Sequence, residues 1–248
     1  MVRFVVLAAG SLMLAACSND APAPQPSASA AIAVPDSMPV MGPVMGPVMG
    51  PERHILAMGD SLFAGYGLGG GESYPDKLET ALRAKGINAR VTNAGVSGDT
   101  SAAGAQRFGF VLDSQKVKPD LVLIEFGGND VLRGLPAAET RKNIDAMLAE
   151  AKKRGLKVLL MGMLAPPNLG GSFKAQFEPI YPELAKKYGA ARVAFFLAPV
   201  MGKPDLIQAD HVHPTAHGVE EIVKETGPLV VKALPPIPFS PQPMKRTD

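Results

Sequence analysis

Five short apolar runs recur along the chain, at His54–Met58, Arg90–Ala94, Leu121–Phe126, Lys157–Met161 and Arg192–Phe196. Their middles are near-continuously apolar rather than alternating, which suits strands buried on both faces. Between and after them lie stretches whose apolar positions return every three or four residues: Tyr74–Lys85, Ser101–Leu112, Ala137–Arg154, Lys174–Tyr188 and Thr215–Ala233. That period predicts amphipathic helices. Buried strands alternating with helices imply a parallel sheet covered on both sides, so the fold class is α/β, a three-layer α/β/α sandwich. In such sheets ligands gather at the carboxyl ends of the strands, on the loops that lead into helices.

The pattern stops on either side of residues 52–234. At the start, Arg3 precedes an apolar run from Phe4 to Ala16, followed by the only cysteine of the chain, Cys17. The run is shorter than the roughly 20 residues a spanning helix needs, so it reads as an export signal over residues 1–16. Leu14-Ala15-Ala16-Cys17 resembles a bacterial lipobox, in which cleavage precedes the cysteine and the cysteine is lipid-modified; Ser18 after it favours an outer-membrane destination. The alternative is an ordinary cleaved signal. With one cysteine no disulfide can form within the chain, and the fold must hold by its core. Residues 17–51 then turn to Ala, Pro, Ser, Met and Gly, including "PVMGPVMGPVMGP", and read as a linker. Fully extended it would reach about 100 Å, and as a flexible coil about 30 Å. Residues 235–248 form a second proline-rich tail.

Composition narrows the partners. The 25 basic and 23 acidic residues nearly cancel, so there is no basic footprint for nucleic acid. The absence of tryptophan and the 6% aromatic content argue against a platform for stacking bases. A hydrophobic content of 46% supports one substantial core.

The strand-end loops hold the chemistry. After the first strand comes Gly59-Asp60-Ser61-Leu62; after the second, Asn93-Ala94-Gly95-Val96-Ser97-Gly98-Asp99; after the third, Gly127-Gly128-Asn129-Asp130; before the last helix, Asp210-His211-Val212-His213-Pro214. A serine, an Asp/His pair and small residues with free amides are the parts acyl transfer requires. Serine is a weak nucleophile until a base takes its proton. His213 is a candidate base that Asp210 could orient, with His211 the competing histidine. The oxyanion formed on attack needs donors: the Ser61 amide, the Gly95 amide, which no side chain obstructs, and the Asn129 side chain.

The four blocks, GDSL at 59–62, Gly95 in "NAGVSGDT", "GGND" at 127–130 and "DHVHP" at 210–214, resemble the SGNH subgroup of the GDSL hydrolase family. The likeness runs over about residues 53 to 232 and is strongest to the bacterial thioesterase, lysophospholipase and arylesterase branch. It implies Ser61 as nucleophile, His213 and Asp210 as base and orienter, and Ser61, Gly95 and Asn129 as oxyanion hole. It also implies a five-stranded parallel sheet in flavodoxin-like order, no metal and no cofactor. The implied substrates are carboxylic esters, namely short or medium acyl or aryl esters and lysophospholipids, with thioesters within the same chemistry. The loop "MGMLAPPNLGG" after the fourth strand departs from the relatives, which leaves acyl length open. A monomer held at a membrane by a lipid on Cys17 is the expected setting.

Blander readings exist for each residue. Ser61 or Asp210 could be a helix cap, and Asn129 a turn residue tolerating a left-handed backbone. His54 and His217 read as surface or helix-start residues. Gly65-Tyr66-Gly67-Leu68-Gly69-Gly70 matches a dinucleotide fingerprint, but it begins several residues past the strand and no acid ends the second strand. It reads as a mobile loop at the site's rim. Asp60 and Asp99 lack companions at metal-ligand spacing, and Asp60 is expected to hold the loops together. Two other functions remain open: an O-acetylesterase of carbohydrate or peptidoglycan using the same residues, and a binding module with a degenerate site.

Overall fold

A computed structural model describes residues 48–236. The signal peptide, the lipobox, most of the linker and all but the first two residues of the C-terminal tail lie outside the described residues. Five strands, β1 (Arg53–Gly59), β2 (Ala89–Gly95), β3 (Leu121–Ile124), β4 (Val158–Met161) and β5 (Ala191–Val193), form one all-parallel sheet in the order β2-β1-β3-β4-β5. This is the flavodoxin-like order, with its switch point between β1 and β3.

The helices are α1 (Ser61–Ala64), α2 (Tyr74–Ala84), α3 (Ser101–Asp113), α4 (Gly128–Leu132), α5 (Ala137–Lys153), α6 (Gly170–Phe177), α7 (Ile180–Tyr188) and α8 (Ala216–Ala233). Helices α2 and α8 pack together on one face of the sheet, and α3, α5 and α7 on the other. Burial follows strand order. Every residue of β3 and β4 is buried, whereas the edge strands β2 and β5 expose Arg90, Thr92 and Arg192. Central strands must be apolar on both sides, and edges carry charge.

Local chemistry sets the boundaries. Ser73, Thr100 and Thr215 cap α2, α3 and α8, each accepting a backbone N–H from the first turn. The stretch expected as one helix from Lys174 to Tyr188 is two. Helix α6 ends at Phe177 and α7 starts at Ile180, because Pro179 and Pro182 have no N–H to continue the ladder. Strand β5 is also shorter than its apolar run: Phe196 N–H instead donates to Gly162 O at 2.8 Å, drawing the chain off the sheet.

One cluster of this core matters for the site. Phe63 stacks on Tyr74 at 5.1 Å, and both rings meet the edge of Phe196. The Tyr74 hydroxyl shares a 2.8 Å hydrogen bond with Thr226 of α8. Such ring pairs contribute about 1 kcal/mol each beyond area burial. Phe63 thereby fixes α1, and with it the serine two residues earlier. At the opposite edge of the sheet the two ends of the domain meet: Arg53, which opens β1, donates to Pro235 O at 2.7 Å.

Candidate active site

Strand β1 ends at Gly59, and the chain turns at once into the single-turn helix α1. Asp60 caps it, its Oδ1 accepting the Leu62 N–H at 3.0 Å, and Gly65 closes it in a left-handed conformation at φ 85°. The glycine of the GDSL block is required by packing. A Cβ on Gly59 would lie 2.7 Å from the Phe63 ring and 2.9 Å from Glu125 Oε2. Ser61 is therefore held on a turn whose two sides are both filled.

The loop before α8 brings its histidine to that serine from 152 residues away. His213 Nε2 lies 2.8 Å from Ser61 Oγ, and His213 Nδ1 lies 2.6 Å from Asp210 Oδ2. Asp210 Oδ1 meanwhile accepts the Val212 and His213 backbone N–H groups at 2.9 and 3.0 Å. Partial desolvation pushes this carboxyl upward, but the hydrogen bonds from His213 and Val212 outweigh it and lower the pKa to about 2. An ionised partner on Nδ1 holds the ring in the tautomer that leaves Nε2 free to take a proton. His211, the competing histidine, turns the loop at φ 60°, and it is His213 that reaches Ser61.

Of the three expected oxyanion donors, two are suitably placed. The Ser61 N–H donates to no atom of the described residues. Asn129, at the start of α4, gives one side-chain hydrogen to Asp60 Oδ2 at 3.0 Å and keeps its second for a ligand. Its position is secured by its neighbour Asp130, which is buried and accepts hydrogen bonds from Ser101 N–H, Ser101 Oγ and Thr140 Oγ1, tying α3 and α5 to the α4 turn.

Gly95 does not fit the third role. Its N–H already donates to Asn93 Oδ1 at 2.8 Å, and a Cβ there would lie 2.4 Å from the Ala64 nitrogen. This glycine lets β2 pack against the α1 backbone, and Asn93 Nδ2 completes the join by donating to Phe63 O at 2.9 Å. Gly98, three residues on, has the properties expected of Gly95. Its φ is +86°, which favours glycine, and its N–H donates to no atom of the described residues. Both glycines are visible in the sequence; what separates them is whether the amide is taken.

The glycine-rich rim is fastened rather than loose. Gln208 Nε2 donates to Tyr66 O and to Pro214 O, both at 2.8 Å. Tyr66 sets its ring 4.5 Å from that of His213. One side chain thus staples the loop after α1 to the histidine loop. Neither Gln208 nor Tyr66 stands in any of the four blocks. Asp60 does hold the loops together, through Leu62 and Asn129. Met163, Leu164 and Ala165 follow β4 near this edge, with Leu164 exposed.

The arrangement supplies a serine, a polarised histidine and donors for a developing oxyanion, which suffices for acyl transfer. Residues 57–220 match the GDSL-like Lipase/Acylhydrolase family. The chain is 63% identical to the solved structure of AlinE4, described as an SGNH-hydrolase family esterase, with a TM-score of 0.64 over 76% of this chain and 100% of that one. It is 38% identical to esterase TesA of Pseudomonas aeruginosa, covering 71% of this chain and 87% of that protein. It is 34% identical to thioesterase 1/protease 1/lysophospholipase L1 of Escherichia coli, covering 71% and 84%. By sequence and by fold, the chain belongs to the GDSL-like lipase/acylhydrolase family.

Proposed function

We propose that this protein is a serine hydrolase of carboxylic esters working through an acyl-enzyme on Ser61. The observation that carries this reading is the hydrogen-bonded series Ser61 Oγ, His213 Nε2, His213 Nδ1 and Asp210 Oδ2, with spacings of 2.8 and 2.6 Å. Ser61 Oγ attacks the ester carbonyl as His213 takes its proton. The tetrahedral oxyanion is held by the Ser61 N–H, the Asn129 side chain and the Gly98 N–H, the last in place of Gly95. Collapse breaks the bond to the leaving alcohol, which His213 protonates. Water, activated by the same histidine, then releases the acid and restores the serine.

The relatives are named as esterases and as a thioesterase and lysophospholipase, which supports short or medium acyl esters, aryl esters and lysophospholipids as substrates, with thioesters within the same chemistry. The test is hydrolysis of p-nitrophenyl esters from C2 to C16 by the purified chain. Turnover of short and medium acyl chains is expected. Activity confined to C2 would move the reading to an acetylesterase, and no turnover at any length would remove it.

We further infer from the lipobox that Cys17 carries a lipid and holds the enzyme, as a monomer, at the envelope of its cell, with the outer membrane favoured by Ser18. Metabolic labelling with a fatty acid should then mark the native chain and miss Cys17→Ser. Equal labelling of both would sink the anchor.

A further inference from the structure

Glu125 is a titratable group that the mechanism above leaves unused. It follows β3 directly, its N–H donates to Met58 O at 2.9 Å, and its side chain has 0% exposure. One oxygen, Oε2, accepts the Asp60 N–H at 3.2 Å. The other, Oε1, has no hydrogen-bond partner among the described residues. Buried carboxylates without donors are costly, and this one sits beside a second buried carboxyl, that of Asp60. The cavity is nonetheless built for it, since Gly59 lacks the Cβ that would meet Oε2.

The protonation pattern can be read from the hydrogen bonds. Asp60 is an acceptor at both oxygens, Oδ1 from Leu62 N–H and Oδ2 from Asn129 Nδ2. Burial raises the Asp60 carboxyl too, but these two donors work against that rise, whereas Glu125 accepts only one backbone N–H, so the proton of the pair is assigned to Glu125. We propose that Glu125, as a neutral acid donating to Asp60, is a positioning residue for the oxyanion donor Asn129. The inference rests on the acyl-transfer reading of the site. Its reach is two steps: Glu125 fixes the Asp60 carboxylate, and that carboxylate fixes the Asn129 amide and the Leu62 N–H on the turn bearing Ser61.

Electrostatics agrees with the geometry. Burial pushes the Glu125 carboxyl well above its ordinary value, and the neighbouring Asp60 charge adds to the shift. The charged and titratable groups around the pair are few. Tyr181 faces it from α7, its hydroxyl committed to Phe126 O at 2.9 Å. The Asp130 charge acts on Tyr181 as well, and His213 acts on Asp60 from the loop before α8. Arg107 of α3 spends its guanidinium on Asp99, Met58 Sδ and Gly59 O. A second negative charge next to Asp60 would oppose the oxyanion that Asn129 is there to receive, so a neutral glutamic acid serves the site better than a glutamate.

The test is a double-mutant cycle on ester hydrolysis by the full chain. Glu125→Leu should lower kcat by about 10- to 100-fold with KM nearly unchanged, the pattern of a donor that acts on the transition state. Glu125→Gln, which keeps a donor and an acceptor, should stay within about threefold of the native enzyme. In an Asn129→Ala background the Leu substitution should cost several-fold less, because the main group it positions is gone. Equal losses in both backgrounds, or a Gln variant as impaired as Leu, would overturn the proposal.

Should Glu125→Leu not fold, thermal unfolding against pH decides the matter. A group whose folded pKa is raised stabilises fully below its unfolded value, here an ordinary 4.5, and less as pH climbs through the folded value. The native chain should thus lose stability relative to Glu125→Gln as pH rises from about 5 to 8, and parallel curves would refute the neutral acid. Ser61→Ala in the hydrolysis assay keeps the two readings apart: if it left hydrolysis intact, the acyl-transfer reading would fail first.

Discussion

Replacing Ser61 with alanine is expected to lower kcat/KM on p-nitrophenyl esters by about 10⁴-fold while leaving the fold intact. The magnitude follows from what is removed. Without Oγ there is no covalent intermediate and no proton for His213 to take, and only the oxyanion donors and substrate binding remain to assist water. Among the described residues the side chain's one hydrogen bond is to the His213 ring, so its loss should shift unfolding by no more than about 1 kcal/mol. Rates measured beside a thermal melt separate the two effects. A variant retaining more than about a hundredth of native activity would show that Ser61 is not the nucleophile.

Gly95→Ala should fail in a different way, by loss of stability of about 3 kcal/mol. The added methyl would meet the Ala64 nitrogen at 2.4 Å, the Phe63 carbonyl carbon at 2.8 Å and the Ala64 α-carbon at 2.9 Å. All three are backbone atoms, and no side chain can swing aside. Either α1 lifts or β2 parts from β1, to which it is paired through Gly59 and Gly95. Overpacking against rigid neighbours costs about 1 to 3 kcal/mol and sometimes more. For a domain of this size a loss of about 3 kcal/mol is a fall in Tm of about 6 to 12 °C. Gly98→Ala makes the contrast. Its Cβ would meet only the end of the Arg133 side chain, at 3.6 Å, so it carries mainly the left-handed strain of about 1 to 2 kcal/mol and should show itself chiefly in kcat. A Gly95→Ala protein as stable as the native one would refute the packing account.

The contrast between these two glycines also marks how far the sequence could be read. Strand and helix periods are local, and the five apolar runs located the sheet because buried strands leave few alternatives. Ser61, His213, Asp210 and Asn129 were legible as types of residue at strand ends. Which amide stays free is a different kind of fact. It depends on Asn93 folding back onto Gly95 and on α1 resting against β2, and neither contact has a sequence period. Glu125 was hidden for the same reason: it stands inside the third apolar run as a lone polar residue near the strand's end, and nothing in the run shows that it is fully buried beside Asp60. Gln208 lies outside every block, and its staple becomes visible only once the loop after α1 and the histidine loop are seen side by side. The split between α6 and α7, by contrast, could have been read from Pro179 and Pro182.

The meeting of Arg53 with Pro235 has a practical corollary. Strand β1 enters and helix α8 leaves the domain at the edge of the sheet opposite to the one bearing Ser61 and His213. A bead, a fusion partner or an electrode coupled through either end therefore stands behind the enzyme and leaves its mouth open to bulk solution. Since the two ends are neighbours, a short peptide could also join them, and new ends could be opened at a turn such as Gly155, between α5 and β4, without crossing the catalytic edge.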